Sequence, residues 1–241
     1  MVVTDYTDKK ILAKYEKKTE NHPLVLYPAF FKEMGNLKGK KVLDIGCGNG
    51  YFTAQMAKQG AKVIGIDTSE EWIERCRQKY VRTKNVAFIK MDASNLGAFK
   101  KSTFDIVTCC MVLLNVEPKS KVEKIMAESA RVLKKEGKFI FSDLHPFVIM
   151  TKIIPSRRQI LPKGFSYFKD GDSYNAIKLD KHDFELVFKN RHWTFESYCK
   201  MLENAGLYLH SIVEPPYAKN APKNFRDYKV PEYILFNCRK L

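Results

Sequence analysis

No stretch of the 241-residue chain approaches the roughly 18 uninterrupted apolar residues that a membrane-spanning helix needs. The opening MVVTDYTDKK has no apolar run of the kind a secretory leader carries. These absences predict a soluble, cytoplasmic protein with no membrane partner. The six cysteines form no CxxC pair. Their scatter through apolar segments predicts reduced thiols, with neither a disulfide frame nor a metal site. Acidic residues are scarce relative to basic ones, 27 against 42, leaving a formal charge of +15. Such an excess attracts phosphates and keeps nucleic acid as a minority reading of the partner. The lysines are nevertheless spread along amphipathic segments such as KSKVEKIMAESARVLKKEGK, without an aromatic-basic RNA pattern, so a solvated lysine-rich surface is favoured. Internal repeats and low-complexity segments are absent, and nothing in the sequence sets an oligomeric state.

What is present is a winding pattern. From about Lys40, β-rich runs alternate with helical stretches: KKVLDIG, AKVIGID, NVAFIKMD, FDIVTCCMVL and GKFIFSDL, with helices starting near Tyr51, Ser69 and Pro118. This predicts a mostly parallel α/β sheet whose strands are covered on both faces. Thr68 or Ser69 offers an N-cap to the second helix, and Glu70 and Glu71 lie in its first turn. Upstream, residues 1–38 read as a helical cap, with helices over Lys9–Lys18 and Leu24–Glu33 broken at ENHP. The winding core covers 39–146. Residues 147–192 read as an inserted β lid, with the turn KDGD between the aromatic runs GFSYF and SYNAI, then the strand DFELVFKN. Residues 193–241 complete the sheet with the helix TFESYCKMLENAG and the strands LYLHSIVE and EYILFNC. The proline-broken link between those two strands predicts antiparallel pairing, so the expected sheet has seven strands and an antiparallel terminal one.

The segment VLDIGCGNGYF carries the most chemistry. A buried strand ends in Gly46, Gly48 and Gly50, and a helix begins at once. A dinucleotide fingerprint would run G-x-G-x-x-G; here Tyr51 takes the third slot, which argues against an NAD-dependent oxidoreductase. The next strand ends in Asp67, 17 positions after Gly50, where a carboxylate can accept the two hydroxyls of a ribose. The third strand runs into Asp92 and Ala93, placing a second carboxylate on the same rim, able to accept an exocyclic amine of adenine. Three strand ends thus converge on one adenosine-sized ligand.

Through DIGCGNG, GIDTS, MDAS, FDIV and ARVLKKEGKFIFS, residues 38–145 resemble the class I S-adenosylmethionine-dependent methyltransferases, which have a Rossmann-like fold. Within them the chain resembles the UbiE-like, type 11 group, through SDLHP, RHWTFESY and VEPPY. Trp193 stands where that group usually has arginine. The resemblance implies S-adenosylmethionine as cofactor, with Gly46, Cys47, Gly48 and Gly50 beneath the methionine and ribose. It also implies Asp67 and Thr68 at the ribose, Trp72 on the adenine face, and Asp92 and Ala93 at adenine. Asp44 either reaches the methionine ammonium through water or holds the loop, and the Cys110-Met111 step at the end of the fourth strand supplies backbone near the methionine end. Tyr6 and Tyr15 could close over the cofactor. If the acceptor carries a proton, a base is needed, and His145, at the carboxyl rim after the fifth strand, is the first candidate. His192 is the second, with packing as its alternative. Tyr167, Phe168, Tyr174 and Trp193 could wall an acceptor site. The expected activity is methyl transfer to an O, N or C atom of a small molecule. Alternatives are a tRNA or rRNA acceptor and a cofactor-binding protein without catalysis.

Overall fold

A computed structural model describes residues 21–150, 157–178, 186–217 and 230–240. Two short helices, α1 (Asn21–Leu24) and α2 (Leu26–Met34), precede the wound core. The core contains β1 (Lys41–Ile45), α3 (Tyr51–Lys58), β2 (Lys62–Asp67), α4 (Glu70–Lys79), β3 (Val86–Lys90) and β4 (Phe104–Cys110). After a 3₁₀ turn at Leu113–Asn115 come α5 (Lys119–Val132) and β5 (Leu133–Leu144). The predicted helix over Lys9–Lys18, with Tyr6 and Tyr15, lies outside the described residues. The predicted break at ENHP is in part helical, since Asn21–Leu24 forms a turn of its own.

The seven-stranded sheet runs β3-β2-β1-β4-β5-β10-β9, where β9 is Leu207–Val213 and β10 is Tyr233–Lys240. Strands β1 to β5 pair in parallel, with Leu43 opposite both Ile64 and Val107. The last strand in sequence, β10, is antiparallel to both neighbours, β5 and β9. It therefore lies inside the sheet, and β9 takes the edge. From β1 the chain turns one way to β2 and the other way to reach β4. That reversal opens a crevice at the carboxyl ends of the strands, where ligands of open α/β sheets bind.

Strand residues alternate between two cores because successive side chains point to opposite faces. Val42, Ile106, Ile140 and Leu235 pack with Phe30 and Met34 of α2 and Phe52 and Met56 of α3. Leu43, Val107, Phe139 and Phe236 pack on the other face against α5 and α7 (Phe195–Asn204). Helix α5 presents Val122, Ile125, Met126 and Ala130 at helical spacing to that face. Phe141 and Phe236 stack with centroids 4.6 Å apart, and each buried aromatic contributes roughly 1.5–3 kcal/mol through removal from water. Helix α4 starts where expected: the Ser69 hydroxyl accepts the Trp72 N–H. Helix α7 is capped by the Thr194 hydroxyl, which accepts the Ser197 N–H, and it stops before Gly206 at φ 73°.

Helix α6 (Pro146–Met150) follows β5 and leads to a three-stranded antiparallel sheet, β6 (Arg157–Ile160), β7 (Ser173–Lys178) and β8 (Leu186–Arg191). The run GFSYF, expected to be part of this sheet, is turn and coil instead, and RRQI supplies the third strand. Several bonds fasten this small sheet to the core. Asp170 pairs with Lys119 at 3.0 Å and accepts the Thr194 N–H at 2.9 Å, while the Arg191 guanidinium pairs with Glu117. Trp193 is buried in the core, its indole N–H donating to the Leu113 carbonyl at 3.3 Å. It is therefore a packing residue and no part of an acceptor wall. Phe168, 90% exposed, is no wall either. No helix of the described residues is long and apolar enough to cross a membrane.

Candidate functional site

At the crevice lies a cavity of about 340 Å³, near the lower end of ligand-site volumes of about 300–1,000 Å³. The β1–α3 loop supplies Gly46 and Gly48. The end of β2 supplies Asp67 and Thr68, the first turn of α4 supplies Trp72, and the end of β3 supplies Met91, Asp92 and Ala93. From the other side come Cys110, Met111 and Val112, then Asn115, Glu117 and Lys121. Of the residues singled out in the sequence, Gly46, Gly48, Asp67, Thr68, Trp72, Asp92, Ala93 and Cys110 are thus brought together around one space. Asp44, Cys47 and Gly50 do not line it, and Tyr15 lies outside the described residues.

The loop geometry explains the glycines. Gly48 has φ 50°, and a Cβ built on it meets nothing within 4 Å. The loop backbone is therefore left bare where a ligand can lie close. Gly50 has φ 70° for a different reason: a Cβ there would stand 2.8 Å from Cys76 Sγ and 2.9 Å from the Phe88 ring. It packs the loop onto the core. Cys76 donates to the Gly48 carbonyl at 3.1 Å, and a hydrogen bond with Cys76, together with burial, pushes the Cys47 thiol well up. A thiol so held is inert packing and not a nucleophile. All six cysteines are free thiols.

Asp67 braces the loop and also lines the cavity. Its two carboxylate oxygens accept the Gly48 N–H at 3.0 Å and the Ser69 N–H at 2.9 Å, tying the loop to the start of α4. Desolvation raises its pKa, against the opposing pull of these N–H groups. Lone pairs not used by the backbone remain to accept hydroxyl donors from the cavity. Asp92 is more exposed. It accepts from the Ser94 N–H and hydroxyl and pairs with Lys121 at 2.8 Å; despite some desolvation, these partners hold its carboxyl below the usual range.

Asp44 lies beneath the loop, fully buried, accepting the Thr53 hydroxyl at 2.6 Å and the Thr108 hydroxyl at 2.8 Å. It bolts β1 to α3 and β4. Burial raises its pKa to about 6 against the pull of the two hydroxyls. Of the two roles left open for it in the sequence, loop support is the one its contacts express.

The histidines are engaged elsewhere. His145 is buried, its Nδ1 accepts the Phe147 N–H at 3.2 Å, and its Nε2 faces Glu214 Oε1 at 2.9 Å. With Nδ1 accepting, Nε2 carries the proton and donates it, so neither nitrogen offers a free lone pair to a substrate. His192 is buried with Nε2 donating to the Tyr167 carbonyl at 2.7 Å. Neither lines the cavity. Expecting His145 at the rim was right about its strand end and misjudged its direction, because that end abuts the segment before β10: the His145 N–H donates to the Glu232 carbonyl at 3.0 Å.

The sequence reading placed Met111 beside Cys110 and missed Asn115, Glu117 and Lys121. They follow the fourth strand, and that position at a strand's carboxyl end was the available signal. Met111 takes φ 58°, unusual for a side chain of its size and invisible in the sequence. Among the described residues no cluster of three or more His, Cys, Asp or Glu could hold a metal.

The donor set fits S-adenosylmethionine: a carboxylate for a ribose diol, an apolar slot beside Trp72, a second carboxylate further along, and bare backbone at Gly48. Known proteins agree. Residues 43–141 match the family described as "Methyltransferase domain". YqeM of Bacillus subtilis (strain 168) is 28% identical over 186 residues, covering 71% of this chain and 75% of its own. The ubiquinone biosynthesis O-methyltransferase of Alkalilimnicola ehrlichii is 34% identical over 137 residues, 54% of each chain. The chain spans about half the length of this and several other such relatives. In fold it is similar to the S-adenosylmethionine dependent methyltransferase from Mesorhizobium loti, with TM-score 0.67 and 21% identity over 88% of this chain and 96% of that one. Residues 43–141 match a methyltransferase domain, and in sequence and fold the chain is similar to S-adenosylmethionine-dependent methyltransferases.

Proposed function

We propose that the protein methylates an O, N or C atom of a small molecule held between the carboxyl rim of the sheet and the three-stranded lid. One observation carries this reading: Cys110 and Met111, which line the cofactor cavity, also pack in one apolar cluster with Tyr174, Ala176 and Phe188 of the lid. The cofactor cavity therefore opens toward apolar and aromatic surface. Among the described residues the basic group that lines it, Lys121, is paired with Asp92, and Lys119 and Arg191 are paired with Asp170 and Glu117. A phosphate backbone would meet neutralised cations there. The relatives named for ubiquinone biosynthesis support the same class of acceptor.

Bound S-adenosylmethionine supplies an electrophilic methyl group on sulfur for in-line displacement. The chain's own residues then have to align and desolvate the acceptor. Asp67 and the Gly48 backbone fix the nucleoside, and the Met111 turn closes the crevice between β1 and β4. The lid, pinned through Asp170, Glu117 and Trp193, excludes water. His145 serves this arrangement by positioning. His145→Ala is expected to lower Tm by roughly 2–10 °C through the loss of buried hydrogen bonds, with S-adenosylhomocysteine affinity kept within about twofold. A weakened cofactor Kd with unchanged Tm would reverse that assignment.

The direct test uses S-adenosylmethionine labelled in its methyl group, incubated with the protein and, separately, with a metabolite extract and with total RNA of the source organism. Label is expected in a small-molecule fraction. Label in RNA alone would overturn the reading.

A further inference from the structure

We infer that Gln159 of the lid is a substrate-reading residue, whose side-chain amide pairs with the cyclic-amide edge of a flat ring, an N–H beside a carbonyl. This rests on the small-molecule reading above and names the chemistry of the acceptor. Gln159 lies in β6 opposite Ala176 of β7, and Ala176 lies opposite Phe188 of β8. Directly opposed residues share a face of a sheet, so the three side chains stand together. Ala176 and Phe188 belong to the cluster that contains Tyr174 and reaches Cys110 and Met111 of the cofactor cavity. The Gln159 amide therefore stands on the face of the small sheet whose residues share an apolar cluster with Cys110 and Met111, beside the cofactor cavity and not in its lining.

Both polar atoms of that amide, Nε2 and Oε1, are buried and have no hydrogen-bond partner. Among the described residues no other side-chain amide leaves both its donor and its acceptor in that state. Burying an amide with both ends unpaired is costly, and folded proteins rarely retain it without a use. On the same face Asn190 already has a neighbour, its Nδ2 lying 3.5 Å from Tyr174 Oη. Gln159 is the group left open.

Its chemistry selects the ligand. A primary amide offers one donor and one acceptor side by side, which a cyclic amide matches with two parallel hydrogen bonds. A carboxylate could use only the Nε2 donor and would face the lone pairs of Oε1. The surrounding Tyr174 and Phe188 rings favour a planar body over a branched one.

The test titrates 2-quinolone and N-methyl-2-quinolone into wild type and Gln159→Leu, with and without saturating S-adenosylhomocysteine, by calorimetry. Wild type is expected to bind 2-quinolone about tenfold tighter than its N-methyl analogue, which has lost the donor. Gln159→Leu is expected to abolish that preference and to keep S-adenosylhomocysteine affinity within about twofold. Because the variant removes unpaired buried polar atoms, its Tm is expected to stay level or rise by about 2–4 °C. No quinolone binding at millimolar concentration, no preference in wild type, a preference that survives in the variant, or a lowered Tm would each overturn the inference. A failure of S-adenosylhomocysteine to bind wild type would instead sink the methyltransferase reading, and the quinolone titration without it would still judge Gln159.

Discussion

Asp67→Ala is expected to weaken S-adenosylmethionine and S-adenosylhomocysteine binding by roughly ten- to hundredfold, with a modest fall in Tm. Two losses add. A charge-assisted contact to ribose hydroxyls contributes about 1.5–3 kcal/mol, which is tenfold or more in Kd. The same carboxylate also holds the Gly48 and Ser69 N–H groups, so its removal loosens the loop that carries the ligand. The pH dependence follows in sign. Ribose hydroxyls donate better to the ionised carboxylate, whose pKa burial has raised. Wild-type affinity should therefore weaken as pH falls through that value, and the variant should lack the dependence. Calorimetry at several pH values checks both points; an unchanged Kd in a folded variant would assign the ribose to another residue.

The second large effect concerns Asp143, one strand position before Leu144 at the end of β5. It is buried, accepts the Tyr198 hydroxyl and the Leu144 N–H, and burial raises its pKa from 3.8 to about 7 against those hydrogen bonds. Between about pH 4 and 7 the folded chain holds a proton at this site that the unfolded chain has lost. Stability from this group is complete at the acid end and falls as pH rises, by at most on the order of 4 kcal/mol. Asp44, raised to about 6, acts with the same sign over a narrower window. Asp170, Asp92 and Asp105 have lowered pKa values and act oppositely, so the whole-protein curve is a sum. Comparison with Asp143→Asn isolates the site. Urea unfolding at pH 4.5 and pH 8 should show wild type losing several kcal/mol relative to the variant. Parallel pH curves for the two proteins would mean that Asp143 stays ionised in the fold.

The loop and the acidic strand ends were legible because they are local facts. Three glycines between a buried strand and a helix start permit a tight, bare turn whatever the rest of the chain does, and Asp67 and Asp92 follow strands whose carboxyl ends share a rim. The seven strands were legible from apolar runs. The small strand RRQI was not: it is four residues long with two arginines, and only pairing with β7 makes it a strand. Chain order likewise puts His145 at a rim without saying which neighbour it faces.

The wound α/β core and the convergence of Gly48, Asp67 and Asp92 on one cavity were fixed by the sequence, since each depends on backbone conformation and strand order. Tertiary structure alone decided that β10 inserts between β5 and β9, that His145 is turned onto Glu214 and Phe147, and that Asp44 and Asp143 are buried deeply enough to hold protons near neutrality. It alone buried the Gln159 amide against an apolar cluster without a hydrogen-bond partner. Those properties depend on partners distant in the chain, and a carboxylate or amide acquires its chemistry from what is packed around it, not from its neighbours in sequence.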